Sequence, residues 1–260
     1  MDNKHYYEAY DWNAVHRENV EPIIKALSEV IPVDVGSIVD IGCGNGIITT
    51  ELSKNYNVLG VDRSEGALAH LKTEKLQASC DNIPLADLSF DLVLSTELLE
   101  HLEDSVFEKT LREFPRISRR YIIITVPNNE NLEKYLLKCP GCGYEFNRSY
   151  HLRYFSKERL MNLFPGYKAL SFRVLGAKVR NYNRGLSKLK RCLAPEDSWI
   201  PTFWTPEGQR KSMCPRCDLN FEYPYRRNLI ALSLDLLNVV ISRKKPYWQM
   251  VLFEKDNRTL

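Results

Sequence analysis

The stretch Ser37-Ile38-Val39-Asp40-Ile41-Gly42-Cys43-Gly44-Asn45-Gly46 decides the fold. Five residues of strand character run straight into a turn with glycine at every second position, and a helical stretch, Ile47 to Asn55, follows. Strand, glycine turn and helix form a device for holding a nucleotide-type ligand. Glycine lets the backbone approach the ligand closely, and the first turn of the helix offers N–H groups with no partner in the helix. Val58-Leu59-Gly60-Val61 is a second strand and ends at Asp62, about 20 residues after Gly42. An acid at that place is positioned to take both hydroxyls of a ribose.

Outward from this unit the alternation continues. Ala67 to Leu71 is helical, Phe90 to Ser95 is a buried strand, and Leu98 to Ser118 is mostly helical. Tyr121-Ile122-Ile123-Ile124-Thr125-Val126 is a β-branched strand stopped by Pro127. Upstream, residues 6–31 read as helix, with Pro22 suited to a first turn. Downstream, Ser156 caps a short helix to Leu163, and Ala169 to Leu175 is a strand. A helix follows around residues 227–241, and Pro246 to Glu254 closes the pattern as a strand. Near-continuous apolar strands alternating with helices predict a doubly wound α/β fold, a mostly parallel seven-stranded sheet covered on both faces. The expected organisation is an N-terminal helical cap (1–34) and a core (35–136 and 151–176, closed by a terminal strand in 247–260). Two insertions interrupt the core, at 137–150 and 177–246.

The glycine pattern is Gly-x-Gly-x-Gly, where dinucleotide sites favour Gly-x-Gly-x-x-Gly. Val39-Asp40-Ile41-Gly42-Cys43-Gly44-Asn45-Gly46 resembles the first motif of class I S-adenosylmethionine (SAM) dependent methyltransferases, of the type 11/23-like kind. Gly60-Val61-Asp62-Arg63-Ser64 is similar to their second motif, Ser79 to Pro84 to their adenine-side loop, and Phe90 to Leu102 to their fourth-strand motif. The resemblance covers residues 35–130 in order and spacing. It implies a Rossmann-like sheet and a SAM site in which Asp40, Gly42, Cys43, Gly44 and Gly46 line the methionine and ribose side. It further implies that Asp62 binds the ribose hydroxyls, Arg63 flanks the adenine, Cys80 and Asp81 reach its edge, and Ser95 and Glu97 sit beneath the sulfonium.

Glu97, Glu100 and His101 stand at i, i+3 and i+4, so a helix there would show all three on one face. His151 comes later, ahead of the short helix. Two carboxylates and two imidazoles are a donor set for a divalent cation such as Mg2+, which polarises a substrate hydroxyl. The pattern resembles metal-assisted O-methyltransferases, among them the ubiquinone-biosynthesis and small-RNA 2′-O-methyltransferase groups. The alternatives are a metal-free pocket role, with His101 or His151 as base and Glu97 beside them, and a structural one.

Seven cysteines include two units with one pattern. Cys139-Pro140-Gly141-Cys142 and Cys214-Pro215-Arg216-Cys217 each carry a phenylalanine, Phe146 and Phe221, four residues after the second cysteine. Two such knuckles supply Cys139, Cys142, Cys214 and Cys217 to one tetrahedral Zn2+. Four thiolates leave no open position for substrate, so the expected role is structural.

Apolar residues at 44% and charged residues at 27% exclude both a disordered and a membrane-embedded chain. No apolar run reaches the length of a membrane span, and the start lacks a basic segment followed by an apolar core, so the cytoplasm is the default compartment. Net charge of +3 makes no case for nucleic acid, although Lys178, Arg180, Arg184, Lys188, Lys190 and Arg191 form a run with no acid between them. That run is either a solvated basic face or a grip for phosphate. Tyr182, Trp199, Phe203 and Trp204 either stack on a sugar or base or form a small core of their own. Three functions follow in order: methyl transfer to oxygen or nitrogen of a small metabolite, glycan or natural-product intermediate; an RNA methyltransferase gripping through the zinc module and basic run; and a non-catalytic relative that docks a partner. Acceptor and oligomeric state are open.

Overall fold

The computed structural model describes residues 7, 8 and 10–256. In chain order its regular elements are α1 (Arg17–Val30), β1 (Ser37–Ile41), α2 (Ile47–Leu52), β2 (Asn57–Asp62), α3 (Glu65–Leu68), β3 (Lys75–Gln77), β4 (Phe90–Thr96), α4 (Asp104–Ile117) and β5 (Ser118–Pro127). Then come β6 (Leu136–Lys138), β7 (Glu145–Asn147), α5 (Lys157–Met161), β8 (Tyr167–Arg180), α6 (Arg184–Leu193), β9 (Lys211–Met213), β10 (Asn220–Glu222), α7 (Leu229–Ile241) and β11 (Lys244–Lys255). They fall into two compact units.

The first unit comprises Tyr7–Asn128, Phe155–Gly176 and the chain from Pro246 on. It is built on a seven-stranded sheet of order β3-β2-β1-β4-β5-β11-β8. The neighbours from β3 to β5 pair parallel, and β11 lies antiparallel to β5. Strand order reverses between β1 and β4, the switch point at which open α/β sheets bind ligands beyond the strands' carboxyl ends.

Period-two alternation divides the strand residues between two cores. Val39, Ile41, Val93, Ile122, Ile124 and Phe253 face one layer, where Phe107, Phe114 and Ile117 of α4 pack. Ile38, Leu92, Leu94, Ile123 and Leu252 face the other, against Ile23, Ile24, Leu27 and Val30 of α1. Both faces are thus sealed, the reason the central residues of these strands are mostly apolar.

Two expectations are corrected in this unit. Residues 6–31 do not form one helix. A 3-10 turn, Trp12–Ala14, and the extended residues Val15 and His16 precede α1. The Asn19 side chain accepts the His16 N–H at 2.9 Å and fixes the helix start at Arg17, which places Pro22 in the second turn rather than the first. The segment from Glu97 to His101 is likewise not a helix. Glu97 adopts φ of 54°, Leu99–His101 is a short 3-10 turn, and Leu102 and Glu103 are extended before α4 begins. Glu97, Glu100 and His101 therefore do not share a helical face.

The second unit comprises Asn129–Tyr154 and Ala177–Lys245. It contains two small hairpins, β6–β7 and β9–β10, and the helices α6 and α7, which pack on each other. Of the run of cations read as a solvated face or a phosphate grip, four of six lie in α6; several are engaged locally, while Lys178 and Lys188 are exposed. Lys190 is buried and Arg191 pairs with Glu145 at 2.5 Å. Arg180 donates to the Val239 carbonyl at 2.7 Å and to that of Ser242 at the end of α7, where a cation is favoured.

Candidate functional site

The glycine turn joins β1 to α2. Gly42 and Gly46 have φ of 78° and 74°, the left-handed region that other residues enter only at a cost. A Cβ on Gly46 would lie 2.3 Å from the Leu71 side chain, so glycine is required there on two counts. The amides of Gly42 and Cys43 donate to the Val61 carbonyl, and that of Gly44 donates to Asp62 Oδ2 at 2.9 Å. The other carboxylate oxygen, Oδ1, accepts from the Ser64 amide at 2.9 Å. The turn after β1 and the end of β2 are thereby locked together. Each Asp62 oxygen keeps a second lone pair for a ligand hydroxyl. Burial raises the Asp62 carboxyl above its ordinary range, opposed by those two amides.

Asp40 lies beneath the turn, 1% exposed, and accepts from Thr49 Oγ1 at 2.7 Å. Burial pushes its carboxyl up to about 7 against that hydrogen bond, and Asp62 adds to the rise. The folded state therefore holds this proton longer than the unfolded chain, whose value is 3.8. The associated stability is complete below about pH 4 and is lost as pH rises through about 7, with a ceiling of about 4 kcal/mol. Asp40→Asn is expected to flatten stability between those limits and to exceed wild type at pH 8, as read from urea midpoints.

The remaining residues of this set are close by in the same unit. Ser95 Oγ donates to the Ile41 carbonyl at 2.8 Å and ties β4 to the glycine turn. Cys43 is half-buried and its thiol is pushed up chiefly by burial. Cys80 accepts a hydrogen bond from Thr110 Oγ1 at 3.3 Å, and burial raises its thiol to about 11, so it is a neutral wall rather than a nucleophile. Asp81 accepts from Ser79 Oγ at 2.5 Å. The sequence reading missed the aromatic contacts from the N-terminal segment. Trp12 lies over Gly44, where a Cβ would come within 2.9 Å of its ring. Asn45 Nδ2 donates to the Trp12 and Val15 carbonyls. Tyr7 stacks near Trp12, meets His101 edge-on at 5.8 Å between centroids and has the Arg63 guanidinium over its face at 5.6 Å. Glu97 sits between β4 and the 3-10 turn and donates its amide to the Thr125 carbonyl. Glu100 is buried in this unit, and His151 is buried in the second, where its Nδ1 pairs with Glu130.

The second unit carries the four cysteines. Its two hairpins repeat one geometry. Cys139 donates its amide to the Tyr144 carbonyl and accepts from Gly143; Cys214 donates to Leu219 and accepts from Asp218. Gly143 and Asp218 occupy equivalent places and both have positive φ, 71° and 55°. Phe146 and Phe221 meet edge-on at 6.3 Å. The sulfurs of Cys139, Cys142, Cys214 and Cys217 all lie within 4.8 Å of one another, with Cys139–Cys217 and Cys142–Cys214 each at 3.6 Å. A tetrahedral zinc with bonds of about 2.3 Å sets its sulfurs about 3.8 Å apart, so the spacing fits the ion. Burial raises the Cys139 thiol, and the amides of Cys142 and Gly141 with the sulfurs of Cys214 and Cys217 together bring it down to about 7, while the Cys214 and Cys217 thiols are raised.

The insertion's aromatic and basic residues form an internal network. Lys190 Nζ reaches both oxygens of Asp235 at 2.7 and 2.9 Å and the Trp199 carbonyl at 2.9 Å, and the Tyr182 hydroxyl donates to Asp235 at 2.8 Å. Trp204 packs edge-on against Tyr182 at 5.5 Å, and the cavity among them has room for no more than one water, about 10 Å³. Tyr182, Trp199 and Trp204 are thus a core and not a stacking platform, while Phe203 is exposed. Lys190→Met leaves Asp235 charged and buried beside one hydroxyl, and is expected to cost about 3–5 kcal/mol in urea unfolding. Lys190→Met combined with Asp235→Leu is expected to recover most of that loss.

Residues 39–121 match a family described as a methyltransferase domain. An uncharacterized protein of Methanocaldococcus jannaschii is 35% identical over 101 residues, which is 37% of this chain and 43% of that one. A ubiquinone biosynthesis O-methyltransferase of Coxiella burnetii is 27% identical over 140 residues, 49% of this chain and 59% of the relative. The chain spans about half the length of the curated relatives it matches. Among solved structures, a SAM-dependent methyltransferase of Thermotoga maritima superposes with a TM-score of 0.55 at 18% identity, covering 98% of this chain and all of that one.

Proposed function

We propose that this chain, which carries a class I SAM-dependent methyltransferase domain in its sheet unit, transfers a methyl group to oxygen or nitrogen of a small-molecule acceptor. The observation that supports this most is the locked pair of glycine turn and Asp62, both of whose oxygens are anchored by backbone amides. Asp62 would hold the ribose hydroxyls, and the turn from Gly42 to Gly46 would pass close to the ligand's ribose and methionine side. Arg63 would flank the adenine, with Cys80 and Asp81 at its edge, and Ser95 and Glu97 would lie under the reacting end. SAM supplies a methyl group already activated by its positive sulfur. The protein's share is then alignment and exclusion of water. Trp12 over Gly44 and Tyr7 beside it would serve that exclusion, and His101, against the Tyr7 ring, would take a proton from the acceptor.

The ubiquinone methyltransferases among the relatives favour a small acceptor. The engagement of Lys190, Arg191 and Arg180 within their own unit speaks against RNA. Zn2+ held by Cys139, Cys142, Cys214 and Cys217 would be structural, closing two hairpins with no position open to substrate. Methyl transfer from labelled SAM to phenol, catechol and amine acceptors, with and without magnesium, tests the reading. Transfer to one of these classes, lost in His101→Ala with SAM binding retained, is the expected result. Transfer only to RNA, falling steeply with salt, would replace it with the RNA reading.

A further inference from the structure

The helix α7, Leu229-Ile230-Ala231-Leu232-Ser233-Leu234-Asp235-Leu236-Leu237-Asn238-Val239-Val240-Ile241, is inverted with respect to ordinary amphipathic packing. Its buried residues are Ala231, Asp235 and Asn238. Asp235 turns inward to Lys190 and Tyr182, and Asn238 Oδ1 accepts the Asn183 amide at 2.9 Å. Eight of its thirteen residues are apolar and exposed, among them Leu229 at 83%, Val240 at 81% and Leu236 at 59%. At about 100° per residue they cover an arc of about 200°. The one polar residue within that arc, Ser233, donates its hydroxyl back to the Leu229 carbonyl at 2.8 Å, so its donor is satisfied within the helix.

The ends of the helix are as uniform as its face. Arg226 and Arg227 precede it, Arg243, Lys244 and Lys245 follow it, and all five are exposed. From Tyr223 to Phe253 the only acid is Asp235, which Lys190 neutralises from within. A wide apolar arc between two cationic collars matches the interface of an anionic bilayer. There the apolar side sinks among the acyl chains, and the Lys and Arg stems reach up to the headgroups. At thirteen residues the helix is about 20 Å long, too short to cross a bilayer core of about 30 Å. No helix among the described residues is long and apolar enough to span a membrane.

We propose that α7 is a membrane-surface anchor, which lies in the plane of an anionic lipid bilayer and holds the chain there. A second copy of the chain is a poorer occupant. In a two-fold pair, whether the helices run parallel or antiparallel, collar meets collar and like charges face each other. A protein partner covers one side of a helix, not an arc of about 200°. Solvation by lipid accounts for both the breadth of the face and the sign of its ends. This inference is independent of the acceptor, because it rests on the second unit alone.

The test is co-sedimentation of the full chain with vesicles of phosphatidylcholine alone and of phosphatidylcholine with phosphatidylglycerol in equal parts. Wild type is expected to sediment with the anionic vesicles and less with the neutral ones. Leu236→Ser with Val240→Ser is expected to weaken that binding about tenfold or more. Arg243→Glu with Lys245→Glu, which leaves the apolar face intact, is expected to abolish the preference for anionic lipid. Circular dichroism and a thermal scan of each variant separate a lost anchor from a lost fold. Wild type remaining in the supernatant with both vesicle types would overturn the proposal, as would equal binding by wild type and both variants. A wild-type dimer in light scattering that Leu236→Ser with Val240→Ser converts to monomer, without vesicle binding by either, would assign the face to a second copy instead.

Discussion

Cys214→Ser is expected to release one zinc per chain and to unfold both cysteine hairpins, although three thiolates of the set remain. The reason lies in how little else holds these hairpins. Each has three residues per strand, and an isolated two-stranded hairpin is marginal in water. Their shared apolar cluster is small: Leu137, Phe146, Tyr150, Ile200 and Tyr223 with the two buried cysteines. A closed structural zinc site contributes free energy on the order of 10 kcal/mol, more than such a cluster can replace. Four sulfurs within 4.8 Å of one another also suit a single tetrahedral ion. Cys139→Ser is expected to behave alike, because the two hairpins are equivalent in geometry. Metal analysis with a thermal scan reads both effects. Wild-type protein that is folded and free of metal would refute the assignment.

The second large effect is expected at Asp62. Replacing it with alanine removes the two acceptors proposed for the ribose and frees the Gly44 and Ser64 amides that it anchors. A hydrogen bond to a charged group is worth about 1.5–3 kcal/mol, so loss of the pair weakens SAM about a hundredfold or more. Asp62→Asn separates the two roles. An amide keeps the shape, but its NH2 must face one of the two backbone N–H groups, so this variant is also expected to bind poorly.

Much of the sheet was legible because its signals are local. Runs such as Tyr121 to Val126 are mostly β-branched and carry no charge, the pattern of a strand buried on both faces. The spacing from Gly42 to Asp62 is set by one strand–helix–strand unit, so it too can be read without the fold. The misses are long-range or conformational. Nothing in the residue type of Glu97 announces a φ of 54°, and that single residue cancels the helical face expected for Glu97, Glu100 and His101. Lys190 and Asp235 are 45 residues apart, so nothing local in the basic run shows that Lys190 is buried. Trp12 reaches the glycine turn from the N-terminal segment, and Tyr7 packs beside it; the helical spacing of Ile23 to Ile31 belongs to α1 and does not extend to them. The helix α7 was placed correctly, but its polarity was not foreseen. Apolar residues normally mark the inner side, and here Asp235 and Asn238 do.

The measurement that bears most directly on the central claim is calorimetric titration of SAM and of its demethylated product into wild type and Asp62→Ala. The account predicts micromolar-range binding of both ligands by wild type and loss of both in a variant that remains folded. Folded wild-type protein that binds neither ligand would contradict it.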